Sequence, residues 1–216
     1  MENRNSEIYS MMTNRFTNSS VIKDTIAGIT YVQNILELLA QIEKADPELY
    51  KKYITNPAST RFHGINEGDL FNHSFNVCFC LLEWMHQHKN AGLTIEDCIK
   101  VGMLHDLCKA ELYYKDENGK YKYDKTKGNH HALLSVKLIK KLGIKLNLKQ
   151  KVLILLHMSS WHNNEDVKAL HLLGRLWLIS TKNIKLLQAV NWADMKAVQD
   201  ELVGELTKKL KEKEQQ

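Results

Sequence analysis

At 216 residues, the chain is long enough for one domain with a substantial core and short for two. Its apolar fraction of 44% is ordinary for a soluble globular protein; no apolar run approaches the ~20 residues a membrane span needs, and the polar N-terminus lacks a signal-peptide apolar region. The net charge of +5 lies largely in local runs such as Lys208-Lys209, so it does not by itself indicate a nucleic-acid partner; it reads as a solvated lysine-rich surface, with a mild preference for anionic substrates such as phosphates as the alternative.

Residues 1–20 are rich in Asn, Ser, Thr and Met without periodicity, and a loosely held, flexible arm is expected there. The remainder, 21–216, reads as one domain, with no internal repeat and no linker to divide it. Only two prolines, Pro47 and Pro57, punctuate the chain, so long helices can run uninterrupted. From 21 to 45, Ile22, Ile26, Ile29, Val32, Ile35, Leu36 and Leu39 recur at helical spacing. Asp46-Pro47 ends that helix and opens a short one, which stops at Asn56-Pro57. A glycine-punctuated loop over 61–69 enters a long helix at about 70–88, with His73 in its first turn. Thr94 suits the N-cap of the helix that ends in His105-Asp106. Residues 113–126 break the helical pattern, and Asn118-Gly119 between tyrosine-bearing arms reads as a small β-hairpin. A helix resumes at 131–142. Asn147 and Gln150 resemble a capping box for the next, which ends near His157. Two further helices are expected at about 167–180 and 184–200, the second carrying Asp194, followed by a charged amphipathic helix at the C-terminus. Cys78, Cys80, Cys98 and Cys108 form no Cys-x-x-Cys pair and read as reduced, partly buried thiols of a cytoplasmic protein.

The pair His105-Asp106 carries the most chemistry. An imidazole nitrogen and a hard carboxylate oxygen side by side suit a divalent cation. Burying them unpaired at the end of an apolar helix would be costly without a compensating partner. Other ligand-type residues, His73, His131, His157 and Asp194, recur in apolar helical contexts.

Their order resembles the HD-domain superfamily of metal-dependent phosphohydrolases, whose pattern is a His, then a His-Asp pair, then a distant Asp, all on helices. The resemblance covers roughly 60–197. It is carried by the loop from Phe62 to Ser74, by His105-Asp106-Leu107-Cys108-Lys109-Ala110, by Asn129-His130-His131-Ala132-Leu133-Leu134-Ser135, by Leu156-His157-Met158 and by Asn191-Trp192-Ala193-Asp194-Met195. It implies an all-α fold, a single helical bundle with the hairpin inserted after the His-Asp helix. It also implies a metal site of His73, His105, Asp106 and Asp194, with His131 and His157 marking the subset that holds two metals. His131 is preferred to His130 because it lies one helical turn before Ser135. His105 and Asp106 are roughly 100° apart around a helix, so Asp106 can bridge toward a second cation.

The function implied is hydrolysis of a phosphate ester of a nucleotide or related small molecule by metal-activated water, with one or two divalent ions of Mn, Fe, Zn, Ni, Co or Mg. A di-iron oxygenase of the same fold and a non-catalytic nucleotide-binding regulatory module are the alternatives, and oligomerisation is left open. Lys109, one turn past His105, projects from the same face and can bind a substrate phosphate or steady Asp106; a surface lysine favoured by a helix C-terminus is the plainer alternative. Arg61 is a candidate phosphate fork, and His63 a further substrate contact. His162 either lines the pocket or faces solvent. His86, His88 and His171 read as structural. The hairpin, with Tyr113, Tyr114, Tyr121 and Tyr123, reads either as a lid or pocket wall or as a variable surface hairpin whose tyrosines pack on the adjacent helix.

Overall fold

The computed structural model describes residues 2–60, 64–89, 91–124, 126, 131–158 and 180–214. Arg61, His63, His130, His162, His171 and all but the last residue of the helix expected at 167–180 lie outside the described residues. The elements run α1 (Glu2–Thr17), α2 (Thr25–Ala45), α3 (Pro47–Thr55), α4 (Asp69–Gln87), α5 (Ile95–Leu104), α6 (Lys109–Leu112), β1 (Tyr113–Lys115), β2 (Tyr121–Tyr123), α7 (His131–Lys141), α8 (Leu148–Leu156) and α9 (Thr181–Glu214). Among the described residues the fold is all-α apart from one antiparallel hairpin, in which Tyr113 pairs with Tyr123 and Lys115 with Tyr121.

Local chemistry sets most boundaries. Asp24 accepts hydrogen bonds from the Ile26 and Ala27 amides and starts α2. Asp46 closes α2 and then caps α3 through the Leu49 amide, with Pro47 in the first turn where its missing N–H costs nothing. Thr94 and Asp97 form a capping box at α5, and Asn147 and Gln150 form one at α8.

α4 is the axis of the core. Its Leu70, Phe71, Phe75, Cys78, Leu81 and Leu82 are buried, and α3, α5 and α9 pack against it. A Cβ on Gly102 would lie 2.4 Å from the Cα of Cys78, so α4 and α5 touch backbone to backbone there. α8 packs on α5, α7 and α9. The N-termini of α5 and α8 are tied through Asp97, which accepts from Gln150 Nε2 at 3.1 Å and pairs with Lys149. All four cysteines are buried free thiols.

Two expectations are corrected. The loosely held arm is not found: Glu2–Thr17 is a helix, and its Ile8, Met12 and Phe16 are buried. Spaced i, i+4, i+8, they form a narrow seam on an otherwise polar segment, and docking rather than propensity stabilises such a helix. The helices expected at 184–200 and at the C-terminus are one, the 34-residue α9. Gly204 alone does not break it, because a single helical glycine costs only about 1 kcal/mol. Among the described residues, no helix is long and apolar enough to cross a membrane.

Candidate metal centre

α5 and α8 each end in a histidine. His105 and His157 occupy the C-cap positions, both with helical backbone angles. The last carbonyls of a helix lack amide partners, and each ring uses one of them. His105 Nδ1 lies 2.8 Å from Gly102 O, and His157 Nδ1 lies 2.7 Å from Ile154 O. A carbonyl only accepts, so each Nδ1 carries the proton and donates. Each Nε2 is then left to face the centre. His73 comes from α4, His131 from the first residue of α7, and Asp194 from α9.

Asp106, in the turn after α5, is the hub. Its Oδ2 lies 3.4 Å from His105 Nε2 and 3.9 Å from His73 Nε2. Its Oδ1 lies 3.7 Å from both His131 Nε2 and His157 Nε2. Asp194 Oδ1 lies 3.1 Å from His73 Nε2 and 3.9 Å from His105 Nε2. Three overlapping groups, His73/His105/Asp106, His105/His157/Asp194 and Asp106/His131/His157, each have their ligand-type atoms within 4.8 Å of one another. All six residues suggested by the sequence are therefore brought together, and all but the partly buried His131 are buried.

The donor set fits a divalent cation. His105 Nε2 and Asp106 Oδ1 are buried and, among the described residues, have no hydrogen-bond partner. A buried polar atom left unsatisfied costs about 1–3 kcal/mol, and a cation between these atoms would satisfy both.

Both carboxylates and His131 are held in the forms that bind a cation. Burial alone would favour a neutral Asp106, but Lys109 and His105 outweigh it and hold the carboxyl well below its ordinary range. Asp194 is likewise buried and likewise lowered, chiefly by its hydrogen bond to His73. Burial pushes His131 down to about 4, keeping it neutral. His73 is the exception: burial penalises its charged form, yet its ring donates to the Asp194 and Glu201 carboxylates, which raise it to about 9, so a cation at its Nε2 would displace a proton.

Lys109 Nζ sits 2.6 Å from Asp106 Oδ2. Of the roles open to it from sequence, contact with Asp106 is the one seen, and its raised pKa follows from that carboxylate overriding the cost of burial. α7 is keyed to the same turn: Ser135 Oγ accepts from the Cys108 amide at 3.2 Å, and Cys108 Sγ donates to His131 O at 3.0 Å. His86 and His88 lie on other business, His86 against the Tyr31 hydroxyl at 2.7 Å and His88 stacked on Trp84.

Glu201 was not singled out from the sequence. Its Oε1 lies 3.0 Å from His73 Nδ1 and accepts from Asn76 Nδ2 at 3.4 Å. The available signal was its spacing, seven residues after Asp194 on one helix and hence on the same face. Asn76 stands three after His73, also on a shared face.

Among protein-family models, that of the HD domain matches residues 70–195, more than half of the chain. No curated protein and no solved structure matches it.

Proposed function

This chain belongs to the HD-domain family, and from that premise we propose that it hydrolyses a phosphate ester of a nucleotide or related small molecule, using one or two divalent cations held by His73, His105, Asp106, His131, His157 and Asp194. The observation that carries this reading is the two-sided Asp106 carboxylate, with His73 and His105 on Oδ2 and His131 and His157 on Oδ1. Nitrogen and oxygen donors in this mixture suit Mn, Fe, Co, Ni or Zn. A divalent cation bound there supplies Lewis-acid stabilisation of phosphoryl oxygens and a water of lowered pKa.

The chain's own groups do the rest. Asp106 stays ionised under the Lys109 ammonium, which also puts a fixed positive charge at the rim of the centre, where charge develops on a transferring phosphoryl group. Neutral His131 offers a lone pair without first losing a proton. α6 leads straight from Lys109 into the hairpin. Beside the hairpin lies a cavity of about 820 Å³ lined by Thr60, Tyr114, Lys120, Tyr121, Lys122 and Tyr123 among others. Tyrosine faces there can cover a base or sugar. Lys115 and Lys122 are turned to Glu67 and Asp116.

The test is to load the protein with each candidate metal and follow phosphate release and oxygen uptake over nucleoside monophosphates, deoxynucleoside triphosphates, cyclic nucleotides and an aryl phosphate. Metal-dependent phosphate release is expected from at least one class. Asp106→Ala is expected to abolish it and to lose most bound metal while keeping its helical circular dichroism. Metal and turnover unchanged in that variant, or oxygen uptake without phosphate release in the wild type, would overturn the proposal.

A further inference from the structure

Three of the four histidines of the centre, His73, His105 and His157, hold their rings in register in two ways. His105 and His157 stand at helix ends, where a carbonyl three residues back is open to accept from Nδ1. His73 stands inside α4, where the carbonyls of the preceding turn belong to the helical ladder. Its Nδ1 therefore needs an acceptor from elsewhere in the fold.

α9 supplies one. Asp194 and Glu201 are seven residues apart, two turns on one face and roughly 10 Å of rise. They span the imidazole, with Asp194 Oδ1 3.1 Å from Nε2 and Glu201 Oε1 3.0 Å from Nδ1. The Glu201 side chain is 12% exposed, and Asn76, one turn along α4 from His73, donates to the same Oε1. Glu201 also lies beyond the residues matched by the family, 70–195.

We propose that Glu201 is a positioning residue of the metal centre, a carboxylate that accepts the Nδ1 proton of His73, fixes the tautomer with the Nε2 lone pair inward, and thereby sets the affinity of the centre for its cation. It does for His73 what Gly102 O and Ile154 O do for His105 and His157. This inference rests on the six-residue centre being a metal site. Partners of this kind, hydrogen-bonded to ligating histidines, typically change metal affinity about 10–100-fold when removed.

The experiment compares full-length wild type, Glu201→Ala and Glu201→Gln, each titrated with Zn²⁺ against a competing chelator. Histidine tautomers are read by ¹⁵N NMR on the Zn²⁺-loaded proteins. Glu201→Ala should weaken Zn²⁺ binding roughly 10–100-fold and lose the protonated-Nδ1 signature of His73 alone. Glu201→Gln keeps an acceptor oxygen at nearly the same volume, so it should retain that signature and lose less affinity. Its similar shape also keeps the proposal testable if the Ala variant fails to fold. Wild-type affinity in Glu201→Ala with the His73 tautomer unchanged overturns the positioning role and leaves the metal site standing. If Ala does not fold, Glu201→Gln with the His73 signature lost overturns it in the same way. Failure of the wild type itself to bind any divalent cation overturns the metal-site reading, and this inference falls with it.

Discussion

A single hydrogen atom in place of a methyl decides how closely the two central helices approach. Any Cβ at position 102 would fall 2.4 Å from Cys78 Cα and 2.6 Å from its amide nitrogen, and backbone atoms cannot swing aside as a side chain can. Alanine would gain about 1 kcal/mol in helix propensity over glycine. Forcing α4 from α5 should cost about 3 kcal/mol, so the clash wins. Gly102→Ala is expected to be destabilised by about 2 kcal/mol net, lowering the melting temperature by roughly 4–8 °C for a chain of this size. Because Gly102 O also holds the His105 ring, metal affinity should fall as well. A thermal melt and a chelator titration check both, and a variant matching wild type in each would show that the helices can part freely. At this scale the sequence is informative where chemistry is concentrated in one word, as at His105-Asp106. It is silent where a role depends on a distant neighbour. Nothing near Gly102 announces Cys78, and Glu201 meets His73 across 128 positions of chain.

At the scale of elements, boundaries were legible wherever a cap is local. Thr94 with Asp97, Asn147 with Gln150, and Asp46 with Pro47 each satisfy amides within three residues of themselves, so the signal is contained in a short window. α1 was not legible because most of its surface is polar and its fixing contacts lie elsewhere. Phe16 packs edge-on to Tyr31 at 5.7 Å and to Phe75 at 5.9 Å, and lies 5.3 Å from Phe79, while Asn5 accepts from the Tyr50 hydroxyl. Phe16→Ala should therefore cost about 3–4 kcal/mol, as for other buried aromatic truncations, seen as a lowered denaturant midpoint at unchanged slope. A loosely held arm would tolerate the change, and an unaltered midpoint would argue for one.

For the whole molecule, the point that ties the helices together at the end remote from the metal centre is Asp97. Burial favours its neutral form, but Lys149 and the amide and hydroxyl of Thr94 outweigh it and lower its pKa below the ordinary 3.8. A depressed carboxyl contributes stability that is fully present above its unfolded pKa and is lost as pH falls through the folded one. The stability difference between wild type and Asp97→Asn should thus hold steady, at about 2 kcal/mol, from neutral pH to about pH 5. It should then shrink toward zero below 3.8. Denaturant melts at stepped pH measure it, and a difference that grew on acidification would contradict the assignment.

That tie also makes the molecule a calliper. α5 has ten residues and α8 nine; both start from the Asp97 junction and end in histidines whose rings stand 4.8 Å apart. One residue added within either arm would turn its histidine by roughly 100° and advance it about 1.5 Å, taking Nε2 out of the gap. The described part of the connection between α5 and α7 instead holds α6 and the hairpin. Descendants of this sequence are expected to vary in length outside the two arms, which can change in composition but not in count.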